Sequence, residues 1–576
     1  MTTLPAPEVV DTAPQPRRRR WRGRPRVEAA PAGEWPRLVG KLLALRGIHD
    51  ARAAQAFLSG AGPAPDPRPL PDLDAAVARL LRAVRAGECV AIFGDFDVDG
   101  VTSTAQLAQA LAALGARPVP YVPDRFTEGY GLNIGAIARL HDAGATLLVT
   151  ADCGTSSVDE VAHARGLGMD VIILDHHTVP PRLPDANALV NPKLPSARPG
   201  GLLELATAGL AFHLAAALHD AAGAPFDAAA YLDVAALGTV CDMAPLADEN
   251  RRLVQAGLPA IARTRRPGLR ALMELAGVDA ARVSAEDIAF KLGPRLNAAG
   301  RIQHAKLALE LLMTGDEERG RELALQLDAL NRDRQQKTSD AVALAQELMG
   351  DAEPPPLVML GHRDFSSGIV GLIASKLVTL YARPAVVYEL GEATSRASCR
   401  SIEEFHITDA LRTCPELFVR FGGHRQAAGF TVENARIEEV RARLVAEAAR
   451  ALEGIELTPV LEIDCQLPLG ALRGEEIRWL ARMAPFGVGN PAPAFLARNV
   501  EVTDARYVGN GERHLKLTLR DRGPDGRAAS WGAIGFDLGD CAVRAGDRVD
   551  VVYSIGSTRF DGALELEIQD LRPAAG

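Results

Sequence analysis

Cysteine is scarce in this chain: seven residues in 576, scattered singly and never as C-x-x-C. That pattern supports neither a disulfide framework nor a zinc ribbon. Cys153 and Cys241, which flank aspartates, read as small packing residues. Long hydrophobic runs are missing, none approaching the roughly 20 residues of a membrane-spanning helix. No secretory leader pattern is found, so the cytoplasm is the expected location. Aromatic residues make up only 5%, which keeps any stacking against nucleobases sparse. An excess of positive charge is also lacking: 64 Lys and Arg face 73 Asp and Glu, a net −9. A uniformly basic nucleic-acid-binding coat is thereby excluded. Charge is a local matter, however, because acids gathered at one site would inflate that total.

Hydrophobic residues, at 47%, are enough for several cores, and the length suggests three or four domains at roughly 100–200 residues each. The first 35 residues are rich in Pro, Arg and Ala. Arg17-Arg-Arg-Arg20-Trp21-Arg22-Gly23-Arg24-Pro25-Arg26 carries seven arginines and no acid, the composition of a disordered solvated tail. Residues 36–60 read as an amphipathic helical stretch through Leu38, Leu42, Leu43 and Leu45. An α/β section runs from 75 to 265, and a long helical pattern over 316–349 places Leu323, Leu327 and Leu330 on one stripe. Asp351 to Pro356 interrupts it as a linker. A second α/β section extends to 455. After Thr458-Pro459 the texture becomes alternating strands, at His514–Leu519, Val549–Ile555 and Leu564–Ile568, which suggests a small OB-like β-barrel. The expected division is a disordered tail over 1–35, an N-terminal helix and first α/β domain over 36–265, a helical connector over 266–350, a second α/β domain over 351–455 and a barrel over 456–576.

Four apolar runs end abruptly on aspartate: Val90 to Gly94 before Asp95-Phe-Asp97-Val-Asp99-Gly100, Leu147 to Asp152, Val171 to Asp175-His176-His177, and Leu237 to Asp242. All four read as parallel strands of an α/β sheet, whose ligands bind beyond the carboxyl ends. The six aspartates converging there would repel one another unless cations lay among them. Asp95 to Gly100 imitates the start of an EF-hand loop, but that loop needs a glutamate at its twelfth position and a helix before it. Here Gln106 and an apolar strand stand instead, so the EF-hand is excluded. The alternative is a strand-to-helix turn, opened by Gly100, that projects Asp97 and Asp99 toward the same side. Oxygen ligands alone suit Mg²⁺ or Ca²⁺, whereas the added imidazoles favour Mn²⁺ or another transition ion. Two such ions sharing a carboxylate activate water and stabilise a leaving oxygen, which points to phosphoester or phosphoanhydride hydrolysis.

Gly94 to Gly100, Thr150-Ala-Asp152-Cys-Gly154, Asp175-His176-His177 and Gly238-Thr-Val-Cys-Asp242 resemble, in order and spacing, the four motifs of the DHH phosphoesterase superfamily. Further stretches are similar to its single-strand-specific exonuclease members: Arg125 to Gly131, Leu292 to Arg301, Ser398 to Ser401, Phe421 to His424 and Pro485 to Pro491. The likeness spans roughly residues 36–576. It implies a parallel-sheet DHH domain joined by a long helix to a second α/β, DHH-associated domain, with an OB-fold after it. It also implies Asp97, Asp99, Asp152, His176 and Asp242 as ligands of two Mn²⁺ or Mg²⁺ ions, with Asp152 shared, and Asp95, Asp175 and His177 as supports or phosphate-facing groups. Arg125, Ser398 and Arg400 match positions that hold a 5′ end, Arg295 a position on the strand's path, and Gly422, Gly423 and His424 a substrate-binding motif. Phe93 stands where the pyrophosphatase branch has a further His ligand, which argues against that branch.

The activity so implied is 5′→3′ hydrolysis of single-stranded DNA to 5′-mononucleotides in recombination and repair. Single-strand-binding protein and a helicase are its implied partners, with no membrane, in a monomer. The barrel would hold the trailing strand through its backbone and through aromatics such as Tyr507, Trp531 and Phe560. Asn331 to Lys337 reads equally as a polar helix face or a DNA contact. Two alternatives remain: a DHH phosphodiesterase acting on short oligonucleotides or cyclic dinucleotides, and a non-catalytic single-strand-binding scaffold. The barrel argues against the first and the complete ligand set against the second.

Overall fold

Apolar runs of five or six residues form the centre of the larger part of the chain, because a strand covered on both faces needs no polar alternation. The computed structural model describes residues 19–25, 27, 30–60, 66–198, 200–523, 526–557 and 563–574. Two compact units emerge, one comprising 60–456 with 485–491, the other 1–59 with 457–484 and 492–576.

In the first unit, β1 (Cys89–Gly94), β2 (Arg117–Tyr121), β3 (Leu147–Ala151), β4 (Asp170–Leu174) and β5 (Ala188–Val190) make an all-parallel sheet in the order β2-β1-β3-β4-β5. Alternate residues feed two different cores: Val90, Ile92, Leu147, Val149, Ile172 and Leu174 on one face, Ala91, Phe93, Leu148, Val171 and Ile173 on the other. Each of the Val, Leu, Ile and Phe side chains among them, fully buried, contributes roughly 1.5–3 kcal/mol. Helix α1 (Val98–Ala113) follows β1 directly, and α2 (Thr207–Ala221) and α3 (Ala229–Cys241) pack on α1.

The fourth aspartate-tipped run is therefore not a strand. Leu237 to Cys241 is the last turn of α3, and Asp242 is its C-cap. The local run was short enough to pass for a strand, but it closes thirteen helical residues, most of them buried. A helix apolar all round carries no periodicity that separates it from a buried strand.

Helix α4 (Glu317–Met349, 33 residues) spans about 50 Å at 1.5 Å per residue. Leu323, Ala324 and Leu327 enter a core that includes Val98, Val101 and Leu237, while Ala341, Val342 and Ala345 enter that of the second sheet. One rigid element thus ties two cores together. The second sheet contains β6 (Val358–His362), β7 (Ala385–Glu389), β8 (Thr394–Arg400), β9 (Phe418–Gly423) and β10 (Ala427–Glu433), in the order β9-β10-β8-β7-β6. Only β6 and β7 are parallel.

In the other unit, β11 (Val460–Ile463) precedes β12 (Cys465–Gln466), which edges β13 (Phe495–Val508). Strands β13, β14 (His514–Arg522), β15 (Ala528–Gly535), β16 (Arg548–Ser557) and β17 (Leu564–Pro573) close a barrel in the order β13-β14-β15-β17-β16, with β16 returning to β13. Register shifts at Ala497/Val500 and Val502/Asp504 bend β13 so that it pairs with both neighbours. Phe560, expected to stack on a strand of DNA, lies outside the described residues. The Trp531 indole donates to the Leu469 carbonyl at 3.3 Å and the Tyr507 hydroxyl to that of Cys541 at 2.8 Å.

Two expected boundaries change. Arg20–Gly23, read as part of a disordered tail, is a strand paired in parallel with β11. The Trp21 indole donates to Asp570 at 2.6 Å, Arg572 lies 4.1 Å from its ring centroid, and Arg22 pairs with Glu462 at 2.7 Å. Part of the arginine run is ordered by backbone pairing with β11 and by acids on and just after that strand, Arg22 and Arg24 pairing with Glu462 and Arg24 with Asp464; residues 1–18 are outside the described residues. The helices Arg37–Ala44 and Ala51–Ser59 belong to the barrel's unit rather than to the catalytic domain, whereas Pro485–Pro491 belongs to the first unit. There Leu246 donates its amide to the Val488 carbonyl at 2.6 Å, and Arg251 reaches the Pro485 carbonyl at 3.2 Å.

Candidate metal centre

The acids gather because β1, β3 and β4 end at one edge and α1 begins there. Asp97 is the N-cap of α1, its carboxylate accepting the Gly100 amide at 3.1 Å. A Cβ on Gly100 would come within 2.5 Å of the Asp95 nitrogen, so only glycine lets the helix start so close to the strand. Asp99, in the first turn, accepts the Thr207 amide at 2.8 Å and the Ala208 amide at 2.7 Å, which gives both oxygens to the N-terminus of α2. Asp97 and Asp99 fall into different groups of close ligand atoms, yet both carboxylates lie near enough to Asp152 to add to the effect of burial in raising its pKa. Asp152 follows β3 at φ +71°, a conformation that costs a non-glycine residue free energy and clusters at functional sites.

Asp175 works inward. One oxygen accepts the amides of His176 (2.8 Å) and His177 (3.1 Å) and the Nδ1 hydrogen of His177 (2.8 Å), while the other accepts the Thr155 amide at 2.9 Å. Burial disfavours its charge, but these donors prevail and hold it below the ordinary carboxylate range. Burial likewise works against the charge of His177, yet Asp175 prevails and pushes it up to about 9. His176 is pulled down to about 3 by burial and by the neighbouring His177, so it stays neutral with a lone pair free.

Three groups bring ligand atoms within 4.8 Å of one another: Asp95, Asp97 and Asp152; Asp99, His176 and Asp242; Asp152, His176 and His177. Asp152 and His176 recur and link the groups, with Asp152 Oδ1 3.4 Å from His176 Nε2. Burial, then the neighbouring carboxylates, push Asp99 up to about 7, Asp242 to about 9, and Asp95 and Asp152 well above the ordinary range. Asp95 Oδ1 and His176 Nε2 are buried without any hydrogen-bond partner. Orphaned acceptors and mutually repelling carboxylates are what divalent cations would satisfy, and the mixed oxygen and imidazole donors fit Mn²⁺ or Mg²⁺.

Guanidiniums gather opposite. Arg125 lies over the Phe96 ring at 4.8 Å, and burial lowers its pKa while Asp95 and Asp97 favour its charge. Arg400, on β8, donates to Ser398 Oγ at 3.1 Å and to the Cys399 carbonyl at 2.9 Å. Arg301, not singled out from the sequence, is lowered to about 10 by burial and by repulsion from Arg125, Arg334 and Arg400. Such crowded like charges suit an anion such as phosphate. His424 lies across from His177, ring centroids 6.4 Å apart, with Nδ1 3.3 Å from Thr178 Oγ1. Gly423 precedes it at φ +144°, where a Cβ would meet the Ala427 oxygen at 2.4 Å; Gly422 faces open space.

Arg295 goes elsewhere: it pairs with Asp328 at 2.9 Å and donates to the Lys291 carbonyl at 2.8 Å, partners within the helical connector. Tyr130 and Thr207 were also unmarked in the sequence. Tyr130, 60% exposed, sets its hydroxyl 3.4 Å from His177 Nε2. Its place in the Arg125 to Gly131 stretch was the available signal; Thr207 had none.

Residues 89–239 match the DHH family, N-terminal domain, residues 355–454 the DHHA1 domain and residues 463–570 the RecJ OB domain. The chain is 35% identical over 564 residues to the single-stranded-DNA-specific exonuclease RecJ of Salmonella typhimurium, covering 93% of this chain and 96% of that one. Against its Bacillus subtilis counterpart identity is 36% over 521 residues, and the match covers 89% of this chain but 65% of the longer relative. A crystal structure of RecJ from Thermus thermophilus in complex with Mn²⁺ superposes with a TM-score of 0.80 at 30% identity, over 97% of this chain and 80% of that one. The corresponding Mg²⁺ complex gives a TM-score of 0.74.

Proposed function

The chain belongs to the RecJ family, and from that premise we propose that it is a single-stranded-DNA exonuclease that removes 5′-mononucleotides in the 5′→3′ direction with two Mn²⁺ or Mg²⁺ ions. The observation that carries the reading is the pairing, within one unit, of overlapping carboxylate–imidazole clusters with the guanidiniums of Arg125, Arg301 and Arg400. Asp97, Asp99, Asp152, His176 and Asp242 would hold the cations, and Asp95 and Asp175 would support them. When bound, the cations supply Lewis acidity that activates water and neutralises charge at the phosphodiester.

The residues do the rest. His177 gives Nδ1–H to Asp175 and, as an imidazolium, keeps a proton on Nε2 for a phosphoryl oxygen. Arg125, Arg400 and Ser398 receive the terminal phosphate, and Arg301 adds charge that favours a dianion. Gly422, Gly423 and His424 would close the other side, the His424 ring centroid lying 6.4 Å from that of His177. Arg295 supports the connector. The barrel would grip the trailing strand with its backbone-facing cations and sparse aromatics.

No helix among the described residues is long and apolar enough to cross a membrane. We place the protein in the cytoplasm as a monomer in recombination and repair, working beside a helicase and single-strand-binding protein. Hydrolysis of long single strands much faster than of dinucleotides supports this reading. The reverse preference would favour a short-oligonucleotide phosphodiesterase, and strand binding without Mn²⁺-dependent nucleotide release would favour a scaffold.

A further inference from the structure

Thr207 is fully buried at the first position of α2, yet it does not cap that helix. The N-cap is Ala206, without a side-chain cap bond. The Thr207 hydroxyl instead donates to Asp152 Oδ1 at 2.9 Å, while its own amide donates to Asp99 Oδ2 at 2.8 Å. One residue therefore holds the carboxylate common to two ligand groups and a carboxylate of the third. Among the described residues no donor reaches Asp152 Oδ2. A carboxylate rotates easily about its last torsion, so tying one oxygen fixes the plane in which the other is presented. Asp152 also sits at φ +71°, a conformation unfavourable for a non-glycine residue that persists only where the surroundings hold it.

We propose that Thr207 is a positioning residue: its hydroxyl orients Asp152, while its backbone amide separately holds Asp99, so that loss of the hydroxyl disturbs the cation position of Asp152 and spares that of Asp99. The inference rests on the two-cation reading above. Groups that orient metal ligands typically carry 10–100-fold in metal affinity, which sets the expected size.

The test is calorimetric titration of the chelator-stripped full chain with Mn²⁺, comparing wild type, Thr207→Val and Thr207→Ser. Wild type and Thr207→Ser should bind two Mn²⁺ with similar affinities. In Thr207→Val the position served by Asp97 and Asp152, with Asp95 beside them, should weaken by about 10–100-fold, while that served by Asp99, His176 and Asp242 is nearly unchanged. The Mn²⁺ needed for half-maximal hydrolysis should rise by the same factor, with KM for DNA unaltered at saturating Mn²⁺. Superimposable isotherms for wild type and Val, equal weakening of both positions, or a Ser variant behaving like Val would each overturn the assignment. Should the Val variant fail to melt cooperatively, Thr207→Ala against Thr207→Ser makes the same comparison. A wild type binding fewer than two Mn²⁺ would instead remove the two-cation premise, a result distinct from the others.

Discussion

The acids and the arginines of the cleft are built in opposite ways. The acids come from one sheet edge and its flanking helices and are fixed before any ligand arrives. Asp99 is held by two amides and Asp175 by four donors. The guanidiniums come from three separate places: the loop after β2 (Arg125), the connector (Arg301) and β8 of the second sheet (Arg400). Their named hydrogen-bond partners are neutral, backbone carbonyls and one serine hydroxyl. Preformed carboxylates keep ligand geometry whatever the substrate does, which suits cations. Long side chains converging from separate elements make an anion site that exists only while those elements stand together.

Breaking the acid side should have the larger effect. Asp152→Ala removes a carboxylate from two ligand groups, and hydrolysis should fall by at least about 10³-fold while single-strand binding survives; retained turnover would take Asp152 out of the centre. Breaking the arginine side should cost selectivity first. Arg400→Ala should reduce the preference for a 5′-phosphorylated end by about 10–100-fold, the worth of one or two charge-assisted hydrogen bonds, read from competing 5′-phosphoryl and 5′-hydroxyl strands. Proton linkage sharpens the contrast. Folded Asp99 (about 7) and Asp242 (about 9) sit above the ordinary carboxylate value. The metal-free fold thus binds more protons than the unfolded chain and loses stability as pH rises from about 4 through these values. The Mn²⁺-induced rise in Tm should accordingly be larger near pH 8.5 than near pH 6, and a pH-independent rise would deny the repulsion. The smallest effect belongs to Arg295→Ala. With its guanidinium on Asp328, it should cost about 1–2 kcal/mol of stability and leave KM for DNA within about twofold; a large KM change would return Arg295 to the strand's path.

The same contrast explains what the sequence disclosed. Strands β1, β3 and β4 are short, apolar and stopped by aspartate, so one local pattern revealed both the sheet and most of the rim. Asp242 was found for a mistaken reason, since its run belongs to a helix, and only tertiary packing brings that helix end to the strand tips. Arg20–Gly23 was hidden by composition: its partners, Glu462 and Asp570, lie more than 400 residues away. Thr207 was invisible because its role is defined by two carboxylates brought to it by folding. Arg295 shows the converse, a residue in a suggestive stretch whose charge is spent on a neighbouring helix.

The central claim is that this cleft, with its cations, feeds on one strand from its phosphate-bearing end. The direct measurement is digestion of 5′-labelled and 3′-labelled single strands, and of matched duplexes, with Mn²⁺, with Mg²⁺ and with chelator. Immediate release of labelled mononucleotide from the 5′-labelled single strand, late release from the 3′-labelled one, and none from duplex or with chelator is the predicted result. Early release of the 3′ label, equal attack on duplex, or hydrolysis that survives chelation would contradict the account.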